Sequence, residues 1–371
     1  MSNTLTAVID KLLAEGLRAL RQQAVMPRLV NRRYELLGGQ KGSTVDIPIP
    51  SAIAVQAVAP AATPPATADI APTSVAVALN KWYEAPFYLT DQEFTQVQND
   101  TIPMQASEAV KALANQVDAD LLALYKDVYG FAGTPGTTPF QTDLTEFVDA
   151  RNVLNKQLAP MDPRYAVLSP DAEAKAILLR AFQDASFRGD PAGIINGQIG
   201  QKLGALWLMD QNIPTHTAGT GAGYLINNVA GYNAGDKTVA VDTGAGTILV
   251  GDVVTFAGVS GTYVVTTALG GGSFSFEPGL AGALADNAAV TVKASHVVNL
   301  AFHRDAFALV SRPLEASDPA GLGRFAVAVD EVSGLVLRLE VSREHKRTRF
   351  SYDILYGVKT VRRELAARIA G

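Results

Sequence analysis

Between residues 42 and 80 the chain carries only two charged side chains, Asp46 and Asp69, and six prolines, at 48, 50, 60, 64, 65 and 72. Few folds can absorb such a segment. Its flanks alternate, with Val45, Ile47 and Ile49 on the outward leg and Val75, Val77 and Leu79 on the return, which is the period-two pattern of paired strands. A flexible linker would be richer in glycine, serine and charge. The segment therefore reads as a long two-stranded hairpin with an Ala/Pro-rich tip. An uncharged arm of that length is an adhesive edge on an isolated molecule, so Val45, Ile47, Val75 and Val77 are expected to contact a neighbouring subunit and to lose solvent when copies associate.

Composition points the same way. Of 371 residues 48% are hydrophobic and 18% charged, too apolar for disorder and unusually apolar for a solitary globule. The length exceeds that of one core, so two or three packed units are expected. The absence of cysteine excludes disulfides, thiolate metal sites and cysteine nucleophiles. No basic-then-apolar secretory signature is present and no uninterrupted apolar run reaches the roughly 20 residues that span a bilayer. Folding in a cytoplasm, with no membrane partner, is the expectation.

The net charge of −5 is unevenly placed: residues 1–45 hold seven Lys/Arg against three Asp/Glu, residues 341–371 hold eight against three, and the middle holds sixteen against thirty. Arg18, Arg21, Arg28, Arg32 and Arg33 are thereby candidates to meet the acidic body of a neighbour, the alternative being ordinary surface variation. Tight DNA binding is not suggested, because the acidic body repels phosphates.

Along the chain, residues 4–23 space Leu5, Val8, Ile9, Leu12, Leu13, Leu17 and Leu20 as an amphipathic helix. Pro103 opens a helix to about Tyr129, roughly 40 Å long at the α-helical rise, with Val110, Val117 and Leu124 on one row and Ala114, Leu121 and Val128 on the next. Asp143 and Glu146 form a D-x-x-E capping box for a helix that ends before Pro160. Residues 165–168 read as a strand, and Ser169-Pro170 caps the helix after it. Fifteen glycines between 219 and 282 separate short β-rich runs, so residues 219–295 read as a small all-β barrel or sandwich. Strands follow at 335–341 and 349–356 around a charged turn, and residues 362–369 read as a short basic helical tail.

The search for chemistry comes up empty. His216, His296, His303 and His345 lack metal-site spacing and lie out of helical reach of one another, so each is expected to be structural or superficial. Gly219, Gly221 and Gly223 resemble a phosphate-binding turn only weakly, with no strand before them and no Lys-Ser/Thr pair after. There is no G-x-S-x-G nucleophile elbow. The Asn99-Asp100-Thr101 sequon means little without a secretory signal. Lys346, Arg347 and Arg349 beside Phe350 and Tyr352 fit an ordinary sheet better than a nucleic-acid surface. No catalytic residue, metal or cofactor is expected.

The order of elements is more informative. A terminal helical arm, a long hairpin, a long helix, a mixed α/β body, a β insertion and a returning sheet resembles the Hong Kong 97-like capsid fold of tailed bacteriophages, an α+β class. More narrowly it resembles the coat-protein family of phage P-twenty-two, with its inserted β domain. The runs NLAFHRDAF at 299–307, Arg312-Pro313-Leu314, and YDILYGVKT at 352–360 carry that likeness. The resemblance implies an N-terminal arm at 1–41, an extended loop at 42–82, a peripheral domain with a spine helix at 83–140 and 297–371, an axial domain at 141–218 and the insertion at 219–295. It implies a major capsid protein forming hexamers and pentamers of an icosahedral shell around double-stranded DNA, assembled in the host cytoplasm with a separate scaffolding protein and a portal protein. With the arm beginning near Met1, no built-in scaffold and no N-terminal trimming are expected. An encapsulin-like compartment, a tail or adhesin subunit, and an enzyme with a β accessory module stay open as alternatives.

Overall fold

The computed structural model describes residues 25–34, 44–51, 53, 55, 60, 70–96, 101–183, 197, 199–314, 323–329 and 335–371. The expected helix at 4–23, with Arg18 and Arg21, lies outside them, as do Asn99 and Asp100 of the sequon. The expected hairpin forms: strands Thr44–Ile49 and Thr73–Ala78 pair antiparallel with Val45 opposite Val77 and Ile47 opposite Val75.

Behind the hairpin stands a five-stranded sheet built around the long strand Arg347–Thr360, which pairs with Phe307–Ser311 and Lys81–Thr90 along one edge and with Val336–Glu344 along the other; Gly323–Val329 closes the far side. Alternation sends Phe350, Tyr352, Ile354 and Tyr356 to one face, where they join the main core with Val110, Ala114, Val117 and Leu121 of the helix Thr101–Leu122. Polar contacts lock the two layers: Tyr356 donates to Asp120 Oδ2 at 2.6 Å and Lys81 pairs with Asp120 at 3.0 Å. The helix ends sooner than its apolar rows predict. Its last turn tightens into a 3-10 segment, Ala123–Asp127, in which Tyr125 is held by His216.

One close approach in this sheet is tight enough to test. A Cβ on Gly357 would lie 2.3 Å from the carbonyl oxygen of Ala78, where the root of the hairpin crosses the long strand. Gly357→Ala is expected to push the hairpin off its seat and to lower stability by about 2 kcal/mol or more, read as a lower denaturation midpoint.

A mixed seven-stranded sheet forms the other half of the body, running from Gly130–Gly133 through Ala366–Ala370, His296–His303, Arg164–Leu168 and Ala205–Met209 to Gly200–Lys202, with Thr215–His216 beside His296–His303. Its second strand corrects the sequence reading. Residues 362–369 are not a basic helical tail: a 3-10 turn, Arg363–Leu365, leads into a strand whose five residues are all buried. Ala366, Ala367, Ile369 and Ala370 have no polar face to offer water, and a strand covered on both sides satisfies its backbone in the ladder. The packing is close: a Cβ on Gly130 would meet the Ala366 carbonyl oxygen at 2.8 Å.

The helix Thr145–Lys156 lies on this sheet. Its expected capping box does not form, because Asp143 Oδ1 accepts from Thr145 N at 2.9 Å while Glu146 Oε2 reaches back to Phe140 N at 3.4 Å. Both carboxylates hold the preceding turn. The cap at Ser169 does form, its hydroxyl accepting from Ala172 N at 3.3 Å with Pro170 in the first turn of the helix Pro170–Leu178.

Residues 225–292 build a separate six-stranded antiparallel sheet, in the order Val290–Val292, Val253–Phe256, Val259–Gly270, Ser273–Glu277, Thr238–Asp242 and Leu225–Ile226. A bridge between Leu225 and Ala289, with Val290 N donating to Tyr224 O at 2.9 Å, joins the two edges. The sheet thus closes on itself as a small barrel, which removes its edges. Its own core holds Phe256, Tyr263, Phe274 and Phe276, with rings of Phe256 and Phe276 5.0 Å apart.

Candidate functional site

Three surfaces of the described residues could join copies of the chain. The first is the segment 25–34. Asp118 projects from the helix Thr101–Leu122 and is fully buried; its carboxylate accepts from Val25 N at 3.1 Å and Met26 N at 3.0 Å, ninety-odd residues away in sequence. Met26, Leu29 and Val30 are buried beside it in the main core. The chain then stitches across the body: Asn31 N donates to Phe307 O at 3.0 Å, Leu309 N to Asn31 O at 3.0 Å, and Asn31 Nδ2 to Asp305 Oδ1 at 2.6 Å. The Asp118 carboxyl is pushed up to about 8, by burial first and by the like charge of Asp210 second, while the amides of Val25 and Met26 and the charge of Arg28 pull it down. Burial raises Asp210 as well.

Helix periodicity offered a signal for Asp118 that the sequence reading passed over. It lies four residues after Ala114 and three before Leu121, which sets a carboxylate on the apolar stripe. A buried acid on such a stripe needs a partner, but the sequence cannot say that the partner is the backbone of residues 25 and 26.

The second surface is the hairpin. Val45, Ile47, Val77 and Leu79 are buried in their own chain against Ala308 and Val310, so three of the four valine and isoleucine candidates have no solvent to lose on association. Only Val75 is half-buried. The aliphatic faces at the root are intramolecular because the strand Phe307–Ser311 supplies the layer that alternation demanded. Further out, Ile53, Val55 and Ile70 are exposed, Val55 at 99%.

The third surface is the outer face of the five-stranded sheet, opposite the helix Thr101–Leu122. Trp82 and Tyr88 are 63% and 58% exposed there, interleaved with ion pairs. Asp353 takes a bidentate pair from Arg338, at 2.9 Å and 2.5 Å, and the Trp82 indole N–H at 3.0 Å. Arg349 pairs with Glu84 at 2.8 Å, and the Arg347 guanidinium lies 4.9 Å over the Tyr88 ring. The face is polar in its pairs and aromatic in its area, the composition of surfaces that bind other proteins.

Of the arginine candidates within the described residues, Arg28 and Arg33 are exposed, while Arg32 is half-buried with Nε and Nη1 unpartnered. Arg28 sits on the short helix Met26–Leu29. His216, His296 and His303 are buried, a structural placement of the kind expected of them. His216 and His296 face each other across a strand pair with rings 5.2 Å apart, although no group of three His, Cys, Asp or Glu suited to a metal occurs among the described residues. The glycine cluster is no phosphate turn: Gly219 N donates to Asp252 at 3.1 Å and Gly221 N to Thr247 O at 2.7 Å, so these amides are engaged inside the chain.

No family model and no curated protein matches the sequence. Solved structures match its fold. One from Mycobacterium phage Che8 is 18% identical with a TM-score of 0.52, covering 93% of this chain and 90% of that one. The capsid structure of the cyanophage P-SCSP1u is 11% identical with a TM-score of 0.53, covering 93% and 87%. At these identities the likeness is one of fold.

Proposed function

We propose that this chain is a major capsid protein of the Hong Kong 97-like type, which self-assembles as hexamers and pentamers into an icosahedral shell enclosing double-stranded DNA. One observation carries the reading: the fold, followed over about nine-tenths of both chains, is that of a cyanophage capsid. The hairpin, with exposed apolar residues and almost no charge, and the aromatic outer face of the five-stranded sheet are surfaces that association would cover. The exposed Ile53, Val55 and Ile70 of one copy seat on the outer face of the next, which would explain why neither is covered within one chain. The closed β barrel between the body strands supports the narrower kinship with the phage P-twenty-two coat family, and with it the division into arm, loop, peripheral, axial and insertion units. A separate scaffolding protein and a portal protein are the further partners of this reading, and the virion capsid is its location.

Negative-stain microscopy of the purified chain, with and without crowding agent, is the direct test. Closed shells are expected; open tubes or discrete small oligomers under every condition would sink the proposal. Charge is expected to contribute to the rate. Replacing Arg18, Arg21, Arg28, Arg32 and Arg33 together by alanine should slow assembly and flatten its dependence on salt, since exposed pairs are individually weak but repeat across a shell. Light-scattering kinetics at two ionic strengths measure this, and an unchanged salt dependence would remove the arginines from the mechanism.

A further inference from the structure

The seam between the barrel and the body contains a buried arginine that makes no direct ion pair among the described residues. Arg368, in the C-terminal strand, is wholly inaccessible. Its Nε donates to Val128 O at 2.9 Å and its guanidinium lies 5.0 Å over the ring of Tyr125. Nη1 and Nη2 are both buried with no hydrogen-bond partner among the described residues. The strand registers bring it company: Arg368 is opposite Leu300, and His216 is opposite His296 on the same central strand. Residues 296, 298 and 300 share one face by the period of two, so Arg368, His216 and His296 project from the same side of the sheet.

His296 repeats the anomaly. It is 2% exposed, its Nδ1 is 2.8 Å from Ala294 O and so carries a proton, and its Nε2 is buried without a partner. Around it stand the edge of Phe131 at 5.1 Å and the ring of His216 at 5.2 Å. The nearby acid cannot answer for either group. Asp252, reaching in from the barrel, is occupied by His216 Nε2 at 2.9 Å, Gly219 N at 3.1 Å and Leu249 N at 2.7 Å. Tyr125 is occupied too, its hydroxyl 3.1 Å from His216 Nδ1. A guanidinium in such a place is strongly disfavoured unless something outside the chain completes it.

We propose that Arg368 and His296 hold one small inorganic anion of the chloride class in the seam between the barrel and the body. The anion accepts from the two free amino groups of Arg368 and, when His296 takes up a proton, from its Nε2. Burial, with the charges of Arg368 and His216, holds His296 down to about 4, against the opposing pull of the Ala294 carbonyl and Asp252; an anion beside it raises that value. Tyr125, Asp127, Asp252 and His216 are the other ionisable groups acting on the pair, and Lys293 lies 5.8 Å over Phe131 nearby. Affinity therefore increases as pH falls. Since Asp252 and Gly219 are on the barrel side and Arg368, His216 and His296 on the body side, occupancy tightens the seating of the barrel.

Thermal unfolding of the full chain in sodium chloride and in sodium gluconate at equal ionic strength tests this. Chloride or bromide is expected to raise Tm by about 2–4 °C over gluconate, saturably, and more at pH 6 than at pH 8. Arg368→Met should abolish the difference between the salts, and His296→Leu should weaken it without removing it. Should Arg368→Met not fold, chlorine-35 NMR of the wild-type chain replaces it: line broadening that bromide competes away is the expected result. Equal Tm in both salts together with no broadening would mean that water alone completes these groups, and the proposal fails.

Discussion

Asp118→Ala is expected to free the segment 25–34 from the helix Thr101–Leu122 and to lower stability by about 2–4 kcal/mol, because two buried backbone amides lose their acceptor at once and each orphaned donor costs about 1–3 kcal/mol. The loss is partly offset by removing an acid that burial disfavours. Met26, Leu29 and Val30 are buried only while the segment is seated, so the loss should propagate beyond the clamp and shell yield should fall with it. Denaturant titration gives the stability, and hydrogen exchange at Val25 and Met26 reports the clamp itself. Slow exchange at both amides in the alanine variant would show that Asp118 does not hold them.

The same residue gives the clamp a pH dependence whose sign is set by the direction of its shift. A carboxyl raised from 3.8 to about 8 binds its proton more tightly in the folded chain than in the unfolded one. Its contribution to stability is therefore complete below about pH 4 and lost as pH rises through about 8. Stability measured at pH 5, 7 and 9 should fall in the wild-type chain. Asp118→Asn, which keeps one acceptor and cannot ionise, should lie below the wild type at pH 5 and close the gap by pH 9.

Replacing residues 50–72 by Asn-Gly is expected to leave the subunit folded and to abolish shells. The register places Ile49 opposite Thr73, a geometry that a two-residue turn can close, and the root keeps Val45, Ile47, Val77 and Leu79 against Ala308 and Val310. Tm should therefore move little. What is removed is the largely apolar reach beyond the root, with Asp69 its one charge, and with about a tenfold loss of association for each 1.4 kcal/mol of contact, repeated at every subunit, closed particles should vanish from micrographs. Shells of normal yield from this variant would show that the hairpin tip takes no part in association.

Local chemistry wrote much of this fold legibly into the chain. Alternation at 45–49 and 75–79 specified a hairpin, and the structure set its register at Val45 opposite Val77, since one slipped residue would turn Val45 and Ile47 outward. The apolar rows at 110–128 specified the long helix, Ser169-Pro170 the start of the helix Pro170–Leu178, and the turn glycines of 219–282 a β-rich module. What the sequence could not determine was which surface each apolar face would meet. Val45 and Ile47 were expected to await another subunit, and they lie on Ala308 of their own chain, since burial is decided by a strand 260 residues away that local pattern does not announce. The C-terminal strand was misread as a helix for the same reason: five residues have too short a period to choose, and only a slot between Gly130–Gly133 and His296–His303 made an extended backbone the one that satisfies its hydrogen bonds. Asp118, Arg368, His216 and His296 are ordinary letters in the sequence. Their chemistry arises because tertiary packing removes water from them and leaves each dependent on whichever group the fold has brought alongside.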